Sequence, residues 1–354
     1  MMPASFTLPV MMSIKGKATS LDIAHMAGVS QPTVSRALRG SPMVNAETRQ
    51  RILEIARQLN YKVDKNASSL RCQQSGTLAL LFFEDPTPDD SLINPFFHSM
   101  LGSITRACAL HGHDLLVSFQ QLSSDWHADF EDSNKADGII LLGYGDYHES
   151  RERLQRLVEQ GTHFVRWGAA LPDQPGVSIG SDNFQGGFDI TAHLLDQGCQ
   201  RIAFIGHASS HYPEFEERYR GHVAAMAARG IRAAPGLQHD AITTEQDGYD
   251  ACQALLARGA QVDGVFAASD LIAIGAMRAL REHGLRVPQD VAVAGFDDIP
   301  LAASVSPTLT TVQQDTKQAG QLLVEKLLAL INGEAVEGQT IAVKQVLRES
   351  SRRG

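Results

Sequence analysis

The sequence has little of what a secreted, membrane or catalytic protein is built from. Its 354 residues include four cysteines, Cys72, Cys108, Cys199 and Cys252, widely spaced and without a CxxC pair. That usage excludes a disulfide framework or a zinc ribbon and reads as lone thiols of a reducing compartment. No apolar run reaches the ~18 residues of a membrane span. The mildly apolar start has no preceding Lys or Arg and no cleavage pattern, so no signal peptide is expected. Residues 1–17 are instead expected to form a disordered extension, with Met1, Met11 and Met12 all possible starts. Common catalytic signatures are missing as well. There is no phosphate loop and no GxSxG elbow, and Gly143-Tyr144-Gly145 lacks the third glycine of a dinucleotide fingerprint. His111 and His113 stand in a glycine turn without a carboxylate or cysteine set and read as a solvated loop rather than a metal site. No catalytic residue, metal or cofactor is therefore expected. Positive charge is also short, 31 basic against 40 acidic residues, for a net charge of −9.

The shortage is uneven. Residues 1–76 hold ten Lys and Arg against four Asp and Glu, a net of +6, whereas the remainder nets −15. A small basic head on a large acidic body implies two partners of different chemistry. In the head, TSLDIAHMAGVSQPTVSRALRG divides into two short helices about a turn. Thr19 with Asp22 fits an N-cap with an acidic third position. Leu21, Ile23, Ala24 and Ala27 supply an apolar stripe. Gly28 stands where the chain must leave the helix through a left-handed conformation. Ser30 is placed to cap the second helix, and Pro32 sits in its first turn, where no N–H is missed. Ala24, Gly28 and Val34 have the small–glycine–aliphatic spacing of a helix-turn-helix. Asn45 caps a third helix, whose Ile52, Ile55, Ala56 and Leu59 close a miniature core.

A generic helical hairpin is the alternative, but the turn glycine, the caps and the arginine surplus together favour DNA binding. The second helix then enters the major groove. Gln31 can pair with adenine and Arg36 with guanine, while Pro32 offers apolar contact alone. Thr33, Ser35 and the third-helix N-terminus at Asn45 suit phosphate oxygens, and Thr19 and Ser30 are counted with them. Arg39, Arg49 and Arg57 read as phosphate contacts or solvated surface. Beyond them, Ala67, Ser68, Ser69, Leu70 and Arg71 make a helix too short to stand alone in water. Leu70 is suited to wedge between base steps in the minor groove, although an exposed leucine usually means nothing.

From residue 77 to 345, the runs TLALLFF, DLLVSF, GIILLG, RIAFIG, GVFAA and VAVAGF alternate with helical segments at 184–197, 216–229, 270–283 and 317–331. Continuous apolar runs fit parallel strands buried on both faces, and the alternation implies a doubly wound α/β fold. A span of about 270 residues favours two lobes over one sheet. Ligands bind such sheets beyond the carboxyl ends of strands, which nominates Trp167 and Gly168, Ser269 and Asp270, and Asp297 and Asp298. Asp270 reads equally as a cap of the helix after it, and Asp298 as a structural carboxylate.

Residues 19–348 as a whole resemble the LacI/GalR family of bacterial transcription regulators. The 19–40 segment resembles the family's DNA-reading motif, ETRQRILEIARQLNY its third helix, and ASSLR its hinge helix, with Leu70 at the lever position. NPFF, ADGIIL, SDNFQGG, RIAFIG, RYRGH, AASDLIAIGAMRAL, GLRVPQDVAVAGFDD, LTTVQQD and the terminal RES follow in family order. The resemblance implies an all-α helix-turn-helix head at 18–62 and a hinge at 63–76. It also implies a two-lobed periplasmic-binding-protein-like (type I) α/β core at 77–354. One lobe would take 77–179 and 310–338, the other 180–309 and 339–354, with crossings near 178–181, 308–311 and 337–339. Arg218 and Asp297 match the family's effector-contacting positions, Phe96 and Phe97 its aromatic wall, and Gln314 lies on a crossover strand. Three departures stand out: Val63 and Asp64 replace the usual Pro and Asn, 119–135 is short, and Thr243 occupies a place where many members carry an aromatic ring.

The function implied is that of a cytoplasmic homodimeric repressor bound to a pseudopalindromic operator in double-stranded DNA. A small molecule, a sugar or sugar derivative with nucleosides and purines as the alternatives, would sit between the lobes and control it. No leucine heptads follow Arg348, which favours a dimer over a tail-assembled tetramer. A free solute-binding protein and an α/β enzyme are the alternatives, and the basic head argues against both.

Overall fold

The computed structural model describes residues 18–61, 74–85, 92–143, 145–170 and 174–353. The expected extension 1–17 and most of the expected hinge, including Val63, Asp64 and Leu70, lie outside the described residues. The chain divides between Gln73 and Gln74 into two compact units.

The first unit consists of α1 (Ser20–Ala27), α2 (Gln31–Leu38) and α3 (Ala46–Gln58). Thr19 closes a capping box with Asp22: the Thr19 N–H donates to Asp22 Oδ2 at 2.7 Å, and the Asp22 N–H to Thr19 Oγ1 at 3.3 Å. Gly28 ends α1 at φ 63°, and a Cβ added there would meet nothing. The glycine thus serves the turn itself rather than a close helix crossing. Ile23, Ala24, Ala27, Val34, Ala37, Val44, Ile52 and Ala56 form the core. Leu21, expected in the stripe, is 62% exposed. It lies about 120° round the helix from the centre of the Ile23–Ala24–Ala27 face. Ser30 occupies the N-cap of α2, but its hydroxyl bonds Thr33 Oγ1 at 2.9 Å and caps no backbone N–H.

The second unit holds two parallel sheets. The first contains β1 (Thr77–Phe82), β2 (Asp114–Phe119), β3 (Ile139–Leu142), β4 (Phe164–Trp167), β5 (Val177–Ser181) and β11 (Gln339–Ile341), in the order β11-β5-β4-β3-β1-β2. The second contains β6 (Ile202–Ile205), β7 (Gln238–His239), β8 (Gly264–Ala267) and β9 (Ala292–Ala294), in the order β7-β6-β8-β9. Helices α4 (Pro95–Leu110), α5 (Tyr147–Gln160) and α10 (Thr316–Ile331) belong with the first sheet. Helices α6 (Asn183–Asp196), α7 (Pro213–Ala228), α8 (Glu245–Ala257) and α9 (Asp270–Glu282) belong with the second. An antiparallel ribbon of β10 (Thr311–Gln313) and β12 (Lys344–Val346) joins the crossover segments.

The chain passes between the lobes after β5, along β10 and after β11. The last crossing falls later than 337–339, because Gln339, Thr340 and Ile341 pair with Ile179, Gly180 and Ser181 in the first sheet. The short 119–135 stretch holds a 3₁₀ turn, Gln120–Leu122, and one wide turn, His127–Asp132, in place of a full helix. At the sheet edge, β2 is not buried on both faces: Val117 is 48% exposed. An edge strand lacks a flanking strand on one side, and coverage thins there. Cys108, Cys199 and Cys252 are buried, and burial pushes their thiols up to about 11, 11 and 12.

Candidate functional site

Helix α2 has two chemically distinct faces. Val34 and Ala37 fill the head's core, while Pro32 and Arg36 are exposed and Gln31, Thr33 and Ser35 are partly so. Gln31 Nε2 donates to Ser20 Oγ at 2.9 Å, which fixes the side chain at the mouth of the turn. Asn45 Oδ1 accepts from the Thr48 N–H at 2.7 Å and so caps α3. Of the arginines, Arg49 is committed internally: its Nη2 donates to the Ser41 carbonyl at 2.6 Å and to that of Val44 at 3.1 Å. Arg36, Arg39 and Arg57 remain exposed.

In the core, the site begins with a close helix crossing. A Cβ at Gly187 would lie 2.2 Å from the Arg218 carbonyl oxygen, and one at Gly221 would lie 2.1 Å from that of Phe184. Glycine at both places lets α7 lie directly on α6, which carries the Arg218 side chain fully out of solvent. Its Nε donates to Asn183 Oδ1 at 2.9 Å, and its Nη1 donates to the Ala268 carbonyl and lies 3.7 Å from Asp297 Oδ1. The guanidinium carbon stands 3.8 Å from the centre of the Phe296 ring. Asp297 Oδ1 also accepts from Gln314 Nε2 at 2.6 Å. Burial pushes the Asp297 carboxyl up to about 7, against the opposing pull of Arg218 and Gln314.

Asp270 is buried beside this group, its carboxyl raised well above the usual range by burial and then by Asp297. Its oxygens are occupied by the Ile299 N–H at 2.9 Å and the Thr311 hydroxyl. Ser269 caps α9 by accepting from the Ile272 N–H at 3.3 Å. On the first lobe, Phe96 meets Phe97 at 5.2 Å and Trp167 at 6.0 Å between ring centres, and all three are buried. Across the lobes, the Thr243 hydroxyl donates to Asp85 Oδ1 at 3.1 Å, and burial pushes that carboxyl up to about 6. Guanidinium, amide and carboxyl groups in a dry site offer both donors and acceptors, as a polyhydroxylated ligand requires. Aromatic rings suit its apolar faces.

The model of the family "bacterial regulatory proteins, lacI family" matches residues 19–64, and that of a periplasmic binding protein-like domain matches residues 191–351. The HTH-type transcriptional regulator RegA of Clostridium saccharobutylicum is 30% identical over 338 residues, covering 94% of this chain and 98% of RegA. The chain belongs to the lacI family of bacterial regulatory proteins. Among solved structures, the CelR–cellobiose complex of a transcriptional regulator matches at 29% identity and a TM-score of 0.69, over 94% of this chain and 99% of that one. The lac repressor dimer bound to operator and the anti-inducer ONPF shares the fold at a TM-score of 0.78 and 24% identity, over 95% and 99%. This lacI-family member is thus a transcription regulator with a helix-turn-helix and a periplasmic-binding-protein-like core, not an enzyme.

The fold of the regulator brings Arg218, Asp297 and Gln314 into one contact group, with Asp270 and Ser269 engaged at its border. Phe96, Phe97 and Trp167 form one aromatic group on the first lobe. Asp298 serves the fold, since it holds Arg348 Nη2 at 2.6 Å and accepts from Gln313 Nε2 at 2.8 Å. Sequence reasoning passed over Asn183 and Phe296, although SDNFQGG and GFDD contain them. It also passed over Asp85, for which no local signal exists.

Proposed function

We propose that this regulator is a homodimeric repressor whose operator affinity is set by a small polyhydroxylated ligand held between the core lobes. The observation that carries the DNA reading is the division of α2: each core-facing side chain is aliphatic, and the outward set is Gln31, Pro32, Thr33, Ser35 and Arg36. Gln31 and Arg36 read base edges, while Thr19, Ser30, Thr33 and Asn45 stand near helix N-termini that favour phosphate and Ser35, one turn further along α2, offers a phosphate its hydroxyl. Leu70 keeps the minor-groove role expected from sequence. The head comprises 18–62 and the hinge 63–76.

Arg218, Asp297 and Gln314 hold the ligand's hydroxyls, with Asp270 and Ser269 keeping them in place, and Phe96, Phe97 and Trp167 supply the apolar wall. Support comes from the sugar in the CelR–cellobiose complex and from the operator-bound lac repressor dimer. The exposed Leu110, Val117 and Leu122, on or next to α4 and edge strand β2, suit coverage by a second copy. Such a protein works in the cytoplasm, where its DNA is; no helix among the described residues is long and apolar enough to cross a membrane.

Arg36→Ala should weaken binding to a promoter operator by about 1–3 kcal/mol and relax base preference at one position of each half-site, read by gel shift at fixed salt. Undiminished specific binding by the Gln31→Ala/Arg36→Ala double variant would remove α2 as the reading helix.

A further inference from the structure

Strand β4 alternates between two cores. Val165 and Trp167 join the core that contains Phe96, whereas Phe164 joins the one with Trp126, Leu141 and Leu154. Arg166 lies on that second side, in a place where a strand of a doubly wound sheet would ordinarily set an aliphatic residue. It is 8% exposed. Its Nη2 donates to Gln174 Oε1, and its guanidinium carbon lies 5.4 Å from the centre of the Tyr147 ring. Its Nε is buried and has no hydrogen-bond partner among the described residues. The acid beside it is Glu214, at the start of α7 on the other lobe. One Glu214 oxygen, Oε1, accepts from the Ala169 N–H at 2.7 Å, and Oε2 makes no hydrogen bond among the described residues.

These groups line one cavity of about 50 Å³, bounded by Arg166, Glu214, Gln120, Tyr147, Trp126 and Trp167. A cavity of that size admits roughly the volume of a few waters, or one small polar group. Burial works against the Arg166 charge, and Glu214 offsets this only in part. A buried guanidinium with a free N–H calls for a planar, anionic acceptor, which is the chemistry of a carboxylate. The free Glu214 oxygen, by contrast, calls for a hydroxyl donor.

We propose that this cavity takes the carboxylate of a polyhydroxylated acid, with Arg166 donating to the carboxylate and Glu214 accepting from a neighbouring hydroxyl. Its regulatory meaning rests on the repressor reading above, because the site draws one wall from each lobe and would link lobe closure to the acid. Binding itself does not depend on that reading.

Trp126 and Trp167 are the chain's two tryptophans, and both border the cavity. Intrinsic emission of the full-length protein therefore reports occupancy. The probes are D-gluconate, D-glucuronate and D-galacturonate, set against D-glucose, D-galactose and glucose 6-phosphate. At least one acid should saturate the signal with a Kd at least about tenfold below that of its neutral counterpart. Arg166→Gln should erase that preference, with folding verified by thermal melt. Arg166→Lys, which keeps the charge but not the planar fork, should reduce it without erasing it. The assignment is overturned if no acid binds more tightly than its neutral counterpart up to roughly 10 mM, a concentration that covers weak sites. It is equally overturned if the phosphate is preferred to every acid, or if both Arg166 variants keep the wild-type preference. Gel shifts separate the two readings. A neutral sugar that releases the operator while no acid binds would overturn the carboxylate site and leave the repressor standing. An acid that binds through Arg166 without changing DNA affinity would support the site and count against its regulatory role.

Discussion

In the head, the side chains assigned to DNA stand at the surface of a core of eight small and aliphatic residues. In the core, those assigned to the ligand are almost wholly inside, with Arg218 and Asp270 at 0% exposure and Asp297 at 5%. The contrast is what the proposed partners would require. A duplex is a large polyanion, and exposed arginine and amide groups can meet it while staying hydrated until contact. A small polyol has too few atoms for that, so its site is desolvated and hydrogen-bonded in advance by the fold. Substitutions in the head should therefore act on affinity with little effect on folding, and substitutions in the cleft should act on both.

Arg218→Ala tests the contrast most severely. It leaves Asn183 Oδ1, the Ala268 carbonyl and Asp297 without their buried cation. The core should lose about 3–5 kcal/mol in urea unfolding, and ligand response should disappear while specific DNA binding persists under conditions where the variant is folded. A normal response with unchanged stability would place the ligand elsewhere.

The next effect is one of pH. The folded-state carboxyl of Asp297 sits near 7, above the ~3.9 of an unfolded aspartate, so the folded protein binds the proton more tightly. Its contribution to stability is greatest below both values and is lost as pH rises through 7. Asp297→Asn should therefore gain on the wild type in urea midpoint as pH rises from about 4 to about 7.5. A difference that is flat across that window would mean that Asp297 is ionised throughout. Asp85, pushed up to about 6, acts in the same direction and remains in both proteins.

The smallest effect belongs to the head. Asn45→Ala removes the α3 cap and should cost about 1 kcal/mol of stability, checked by thermal melting of the wild type and variant.

The two regions also differ in how far a reader of the sequence can see into them. The head was legible in detail because its determinants are local: the Thr19–Asp22 box, the left-handed Gly28 and the Asn45 cap each act within a few residues. Leu21 points outward because the joint face of Ile23, Ala24 and Ala27 decides which side is inward, and one leucine does not. The strands of the core were legible as apolar runs, and their family order supplied the two-lobed arrangement. The register of β11 against β5 was not, since a short polar strand is set by a partner some 160 residues away. Nor was the Thr243–Asp85 bond, whose partners are 158 residues apart. Thr243 could be seen as a missing ring, but what replaced the ring could not. Arg166 was hidden for a similar reason. On a strand it looks like a polar outward position, and only the covering residues Trp126, Leu154 and Tyr147 make it an inward one.

Asp297 holds its backbone at φ 119°, and Asp298 follows at 57°. Its amide is tied to the Val312 carbonyl at 2.8 Å, so the backbone cannot relax without breaking that bond. The angle at Asp298 is one that asparagine and aspartate tolerate, whereas that at Asp297 is cheap for glycine alone. A lineage exploring new ligands thus has almost no alphabet at this position. Adaptation to a different signal would be channelled through positions such as Thr243 and Arg166, where no left-handed backbone restricts the choice and only the surrounding packing does.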